Sequence, residues 1–367
     1  MSQTEPCLAI VLTSEEVTMV VGVDVHKRSH TVALLDGNAV VLAALTIPNS
    51  PAGAERLLGW LDEHDAHGAI VGIENAAGYG RLLCAALAAA GCEVLNVPAW
   101  RTHRDRHEQG RGKSDPGDAV AIAQVVLRKR EQLGPALEPE LIRALALLEG
   151  LRRQSVYQRT QAIQRLRAVW TQVDPEGEAR VIHCQRQREL RKLKRISFGV
   201  GIAEQAAARC IRELAREIER LNERIAALEH ELEGLLGECG NPFADLAGAG
   251  ATVAVALIAH SGDVRRFKDK GAYARFCGAA PIRCGSGRTA DHHRFDRGGN
   301  RQLNTALHRI AVVQARVDPR AQAFLARKRA EGKTAREARR SLKRHLANVV
   351  YHRLHTWAEI ALPASIS

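Results

Sequence analysis

Five residues of this 367-residue chain have the types and settings for chemistry on a phosphodiester: one serine and four carboxylates. Ser286 stands between two glycines in "PIRCGSGRTADHHRF", residues 281–295, beside Arg283, Arg288, Arg294 and Arg297. Gly-Ser-Gly is ordinary loop composition. It also lets backbone approach an anion closely, and flanking arginines can neutralise that anion. A serine hydroxyl is a poor nucleophile at its own pKa and needs activation. The acids are Asp24 in "TMVVGVDVHK", Glu74 in "AIVGIENAAG", and Asp115 and Asp118 in "DPGDAVAIA". Spaced by three on a helix, the last two share a face. Four carboxylates around one point repel each other unless a cation neutralises them. Hard oxygen ligands suit Mg²⁺ or Mn²⁺, and two such ions clamp the attacking and leaving oxygens of a phosphodiester. Each acid also has a structural reading. Asp115, Pro116 and Asp118 make a good helix start, Asp24 could end a strand, and Glu74 could cap the next helix. The metal reading gains only if one fold brings all four together.

The elements that must position them can be read from the pattern. "TMVVGVDV" is a short apolar run, and "HTVALLD" and "AVVLAALTI" follow, separated by the hairpin turn Asp36-Gly37-Asn38. Next come a helix ("PAGAERLLGWLDEH"), a buried strand ("AIVGIENAAG"), a helix ending at Gly91 and a strand ("CEVLNVP"). A basic loop then leads into the helix that opens at Asp115. The predicted order is βββαβαβα, the ribonuclease-H-like arrangement. It is not the Rossmann order, and no G-x-G-x-x-G follows the first strand. In this fold the first strand, the end of the fourth strand and the start of the last helix converge, and those are the places of the four acids.

Composition narrows the partner. The net charge is +12 and the pI about 9.6, which favours a polyanion. The charge is concentrated: Arg265–Arg353 carries 23 Lys or Arg against 6 Asp or Glu, Leu151–Arg195 carries 12 against 4, and the remainder is net acidic. Two basic blocks on an acidic chain read as binding surfaces. Aromatics are only 4%, so base stacking is not the main device. The eight cysteines form no C-x-x-C pair, which removes zinc-ribbon and thioredoxin spacing. No apolar run approaches the ~18 residues of a membrane span, and no secretory leader is visible. The expected setting is a cytoplasm, with reduced, mostly buried thiols and no membrane partner.

Past the first domain, apolar residues fall at Ile211, Leu214, Ile218, Leu221, Ile225, Leu228, Leu232 and Leu235. That is a/d heptad spacing. It predicts self-association through a coiled coil, or else an internal hairpin with the helix from about Glu140 to Val173. "LAGAGATVAVALIAHSGDVRRF" suggests apolar helices flanking a Gly-x-Gly turn, a helix-hairpin-helix whose backbone N–H groups grip phosphate; a plain helical hairpin fits nearly as well. The basic helix "TAREARRSLKRHLANVVYHRLHTW" closes the chain and is expected to contact nucleic acid. The expected domains are residues 19–131 (α/β, ribonuclease-H-like), 138–237 (helical linker and coiled coil) and 243–360 (mostly α).

Several of these pieces together resemble the DEDD-type transposases of bacterial insertion sequences, the bridge-RNA-guided serine recombinases. "GVDVHK", "GIENAAGYG" and "KSDPGDAVAIA" match the family's Asp, Glu, Asp, Asp, placing them on Asp24, Glu74, Asp115 and Asp118. "APIRCGSG" matches the family's Ala-Pro, four residues, Ser-Gly, which places its catalytic serine on Ser286; its Gly-Asn-Arg stretch falls on Gly299, Asn300 and Arg301. "DHHRFDRGG" is less basic than the family usually is, and Cys284 beside the serine is a departure. The resemblance implies a RuvC-like first domain and a transposase domain with a serine nucleophile forming a 5′-phosphoserine link to DNA. It implies Mg²⁺ or Mn²⁺ on the four acids. It further implies a non-coding bridge RNA, donor and target duplexes, and a homodimer or tetramer on DNA. Lys113, Arg283, Arg288, Arg294, Arg297, Asn300 and Arg301 are the expected nucleic-acid contacts. Serine and acids lie in different domains, so a composite centre is expected, within one chain or across subunits. Choice of sequence would pass to base pairing, which agrees with basic blocks and few aromatics.

Three other readings compete. A RuvC-like resolvase would use a metal-bound water and leave the second domain unexplained. A kinase of the sugar or acetate class should show glycine-rich phosphate loops. A non-catalytic DNA-bridging protein would not need four acids.

Overall fold

The computed structural model describes residues 19–99, 102, 115–176, 183–283, 293–295 and 298–362. The chain divides into two compact units, residues 1–138 (with 365–367) and 139–364.

The first unit is built on a mixed sheet. Strands β1 (Val20–Val25), β2 (Ser29–Leu35) and β3 (Val41–Pro48) are antiparallel neighbours; β4 (Ile70–Glu74) and β5 (Val94–Val97) continue from β1 in parallel. The order is β3-β2-β1-β4-β5, closed by a two-residue strand β6 (Gly134–Pro135) antiparallel to β5. This is the ribonuclease-H-like order expected from the sequence. The turn after β2 forms because Asp36 Oδ1 accepts from both Asn38 N and Val40 N, at 2.9 and 2.8 Å.

One face of the sheet, with Val21, Val23, Val32, Leu34, Val71 and Ile73, packs on helices α1 (Pro51–Glu63) and α2 (Arg81–Ala89). Ser50 caps α1, its Oγ accepting from Gly53 N, and Pro51 fills the first helical position. The other face is covered by α3 (Asp115–Lys129), through Ala119, Ile122, Ala123, Val125 and Val126.

Among its described residues the second unit is helical but for a short hairpin and the connecting turns. Helices α4 (Glu140–Val173) and, after the short α5 (Gln187–Leu193), α6 (Ile202–Glu238) run antiparallel along each other. Ile142 and Leu145 meet Leu232 and Leu236 at one end; Leu166 and Trp170 meet Ile211, Ala215 and Ile218 at the other. Arg152 bridges Glu149 and Glu229, at 3.2 and 3.3 Å, and Arg159 donates to Asn222 at 3.0 Å. The heptad stripe of α6 is therefore buried within its own chain, Ile218 fully and Leu221 to 8% exposure. A dimer seam through that stripe is not what the structure has; of the two partners the spacing allows, α4 takes it.

Helix α7 (Ala251–Ser261) follows a turn at Gly248. The residues before it, 241–248, are turns, so one helix rather than two flanks the Gly-x-Gly step. The core around α7 is completed by α8 (Lys270–Phe276), α9 (Arg301–Val317), α10 (Pro319–Ala330) and α11 (Ala335–Ala361). Strands β7 (Pro281–Arg283) and β8 (His293–Phe295) pair antiparallel between α8 and α9. Among the described residues no helix is long and apolar enough to cross a membrane. Burial pushes the Cys84 and Cys277 thiols up to about 12, so both stay protonated and inert.

Candidate active site

Strand register brings two of the acids together. Val23 pairs with Ile73 in the parallel β1–β4 ladder, so Asp24 and Glu74 are the next residues along two adjacent strands. Alternation sends Val21, Val23 and Val25 into the α1–α2 core; Gly22 and Asp24 face the other way. Glu74 likewise shares its face with Gly72. That face belongs to α3, and the two glycines set how near it lies. A Cβ on Gly22 would stand 2.0 Å from Ala119 O and 2.5 Å from Ala123 N; one on Gly72 would stand 2.4 Å from a Val126 methyl. Asp118 immediately precedes Ala119. Each glycine thus stands two residues before an acid, on the acid's own face, and lets the helix that carries Asp118 lie on the strands that carry Asp24 and Glu74. The backbone of Asp115 opens the same helix.

Two further side chains attend the acids. His26 Nε2 is 3.1 Å from Asp24 Oδ2, with Asp24 only 14% exposed. Thr102, fully buried, has its Oγ1 2.8 Å from both Glu74 Oε2 and Ala99 O; its single proton serves one of them at a time. Each contact fixes the direction of one carboxylate. The sequence pattern did not single them out. His26 was visible inside "GVDVHK", two residues after its acid, whereas Thr102 acts across 28 residues and left no local signal. Asp24 and Glu74 are oxygen donors on one sheet face, and carboxylates are the kind of ligand a hard divalent cation takes. Among the described residues, no three His, Cys, Asp or Glu side chains are grouped closely enough to hold a metal.

Ser286, Arg288, Arg297 and Lys113 lie outside the described residues, as do the side chains of Asp115, Arg283 and Arg294. The segment that carries Ser286 is defined by its two feet. Strands β7 and β8 pair Pro281 with Phe295 and Arg283 with His293, bracketing residues 284–292. Below them Asn300 N donates to Phe276 O at 2.7 Å, and Asn304 Nδ2 reaches Cys277 O and Gly278 O at 3.0 and 2.9 Å. Gly299 lies so close that a Cβ there would stand 2.3 Å from Gly278 N. The side-chain oxygen of Asn300 caps α9, accepting from Gln302 N and Leu303 N. Asn300 therefore has a structural task besides any contact with nucleic acid. Arg301 is exposed.

Known proteins match along both units. The family model DEDD_Tnp_IS110, described as a transposase, matches residues 21–175, and the IS116/IS110/IS902 transposase model matches residues 241–326. Similar full-length proteins include the mini-circle protein of IS117 from Streptomyces coelicolor, a transposase by name. It is 28% identical over 93% of this chain and 95% of its own length. The uncharacterised 43.6 kDa protein of insertion element IS110, also from Streptomyces coelicolor, is 25% identical over 96% of this chain and 98% of its own. Among solved structures, Thermus thermophilus RuvC in complex with a Holliday junction substrate is similar over 32% of this chain and 99% of its own, at 16% identity and a TM-score of 0.26. The two family models between them span both the acid-bearing sheet and the serine-bearing segment, and the chain belongs to the IS110-type DEDD transposases, enzymes that cut and rejoin DNA.

Proposed function

We propose that this transposase breaks DNA by direct attack of Ser286 Oγ on a backbone phosphorus, with Asp24, Glu74, Asp115 and Asp118 as the acidic half of the centre. The observation that carries the reading is the shared face. Asp24 and Glu74 stand next to each other near the ends of adjacent parallel strands, under the helix that opens with Asp115 and Asp118, and two glycines make that approach possible. A Mg²⁺ or Mn²⁺ ion on these acids would supply neutralisation of the phosphate charge. The chain's own groups do the rest. Ser286 Oγ loses its proton and bonds to phosphorus; the phosphorus–O3′ bond breaks, and the departing 3′-oxygen takes up a proton. The 5′-phosphate is left on the serine. A 3′-hydroxyl of another strand then attacks that phosphoserine and restores Ser286, so the bond energy is kept and rejoining needs no high-energy cofactor. Gly285 and Gly287 give the backbone room beside the phosphate, and Arg283 and Arg288 lie close enough in sequence to neutralise it. In this reading residues 19–131 carry the acids, 243–360 the serine, and 138–237 joins them.

The finer partners belong to the same reading: a donor and a target duplex, a non-coding bridge RNA that chooses both by base pairing, and more than one copy of the chain on the DNA. Basic blocks with few aromatics support a protein that grips backbone and leaves base reading to RNA. The test is to quench the reaction on end-labelled DNA and digest with protease. A labelled peptide spanning residues 281–295 is expected, and it should be absent from Ser286→Ala. Normal strand exchange by Ser286→Ala would overturn the assignment.

A further inference from the structure

A cavity of about 690 Å³ opens in the second unit between α9 and α11. Arg301, Asn304, Thr305 and His308 enter it from α9; Arg336, Arg339, Arg340 and Lys343 enter it from α11. Both sets repeat at three and four residues, so each helix presents one stripe to the same hollow. Among the described residues its lining holds no carboxylate and no Phe, Tyr or Trp. The nearby acids are engaged elsewhere: Glu337 with Thr334, Glu331 with Lys328, and Asp318 as the cap of α10. Lys343 is 93% buried by its 7% exposure, and its hydrogen bond among the described residues runs to Asn304 Oδ1 at 2.6 Å. Asn304 in turn holds Cys277 O and Gly278 O, the foot of the β7–β8 hairpin. Gly278 and Gly299, where the chain enters and leaves residues 281–298, form the remaining wall.

Burial and the neighbouring Arg340 lower the Lys343 pKa, and burial, Lys343 and Arg339 lower that of His308. Arg301, Arg336, Arg339, Arg340 and Lys343 line one concave site, so an anion that enters it meets several cations at once. A solvated basic face would spread its charges outward; here one lysine is buried to reach the hollow. The lining offers donors for phosphate oxygens, no ring to stack a base and no carboxylate to read an amino group.

We propose that this cavity seats a phosphodiester of DNA at the root of the segment that carries Ser286. The choice of DNA rests on the strand-cleaving function proposed above; the phosphate site itself rests on the cavity. Helices α9 and α11 then grip backbone, and the Lys343–Asn304–Gly278 chain of hydrogen bonds ties that grip to the foot of the hairpin.

Binding of the full-length chain to a random-sequence DNA duplex, and separately to a single-stranded RNA of equal length, tests this by fluorescence anisotropy across a salt series. Arg336→Gln with Arg339→Gln is expected to weaken duplex binding at least 10-fold and to lower the salt slope by about 2, near 0.9 per phosphate contact. Arg336→Lys with Arg339→Lys should restore most of the slope. Arg320→Gln with Arg329→Gln, which removes two exposed charges of α10 outside the cavity, should change it far less. An unchanged slope on both probes overturns the proposal, and so does an equal loss from the α10 pair, which would make the effect general surface charge. A loss confined to RNA overturns the choice of DNA. Ser286→Ala is expected to bind duplex as the wild type does. Failure of the phosphoserine trap with the slope change intact would sink the serine mechanism and leave the cavity standing.

Discussion

At the scale of single residues, the acids were legible as types and positions, and the side chains that hold them were not. Asp24 and Asp118 stood out because a carboxylate inside an apolar strand and one in the first turn of an apolar helix are conspicuous. Gly22 and Gly72 drew no notice, though they decide how close the helix comes: a methyl at Gly22 would stand 2.0 Å from a carbonyl oxygen. Their requirement is for space across the fold, which no local pattern records. Asp24→Asn and Asp118→Asn keep the shape and remove a carboxylate charge. Each is expected to lower strand transfer by at least 100-fold, with the melting temperature held within about 3 °C, since neither carboxylate is part of an apolar core. Wild-type recombination by either variant would place the acidic centre elsewhere. Comparing Asp24→Asn with His26→Gln separates the two roles, because loss of the histidine leaves the charge and disturbs only its aim, so a smaller decrease is expected.

At the scale of elements, period was a sound guide and partner was not. The βββαβαβα order was readable because strands alternate at two, helices at about 3.6, and Asp36-Gly37-Asn38 marks the hairpin. Strand β6 escaped because Gly134 and Pro135 are two residues with no side-chain pattern. The heptads of α6 were unmistakable, yet spacing specifies an apolar stripe and says nothing of what covers it. Here α4 covers it, with Arg152 and Arg159 fixing the antiparallel register. The double variant Ile218→Asp with Leu221→Asp therefore buries two carboxylates inside the chain, at several kcal/mol, against a typical domain stability of about 5–15 kcal/mol. The expected result is a fall in melting temperature of about 10 °C or more, with loss of helical circular dichroism at 37 °C. A dimer seam would instead show a halved mass by light scattering and an intact helical signal; that outcome would return the stripe to an intermolecular role.

At the scale of the whole molecule, charge is unevenly spread along the chain. The block Arg265–Arg353 carries 23 Lys or Arg against 6 Asp or Glu, while the chain outside the two basic blocks is net acidic. The net figure of +12 hid this division until the sequence was read in blocks. The cavity between α9 and α11 was harder to see, because residues near 301 and near 340 each look like a solvated basic face until the fold turns them toward each other. In the proposed reading the acids hold a cation and the arginines hold DNA, and the two should respond to different treatments. Removing divalent ions with EDTA is expected to reduce cleavage of supercoiled DNA by at least 100-fold and to change the anisotropy-measured Kd for duplex DNA by less than about 3-fold. Raising salt from 50 to 200 mM should do the reverse, weakening binding by orders of magnitude through counterion release while cleavage at saturating protein persists. The small effect of EDTA on binding follows from where the cations are. The phosphate contacts proposed for α9 and α11 are made by guanidinium and ammonium groups that keep their charge without metal. Equal loss of binding and cleavage on chelation would mean that DNA is held mainly through ions on the acids, and the division of labour between the two basic blocks and the acidic sheet would fail.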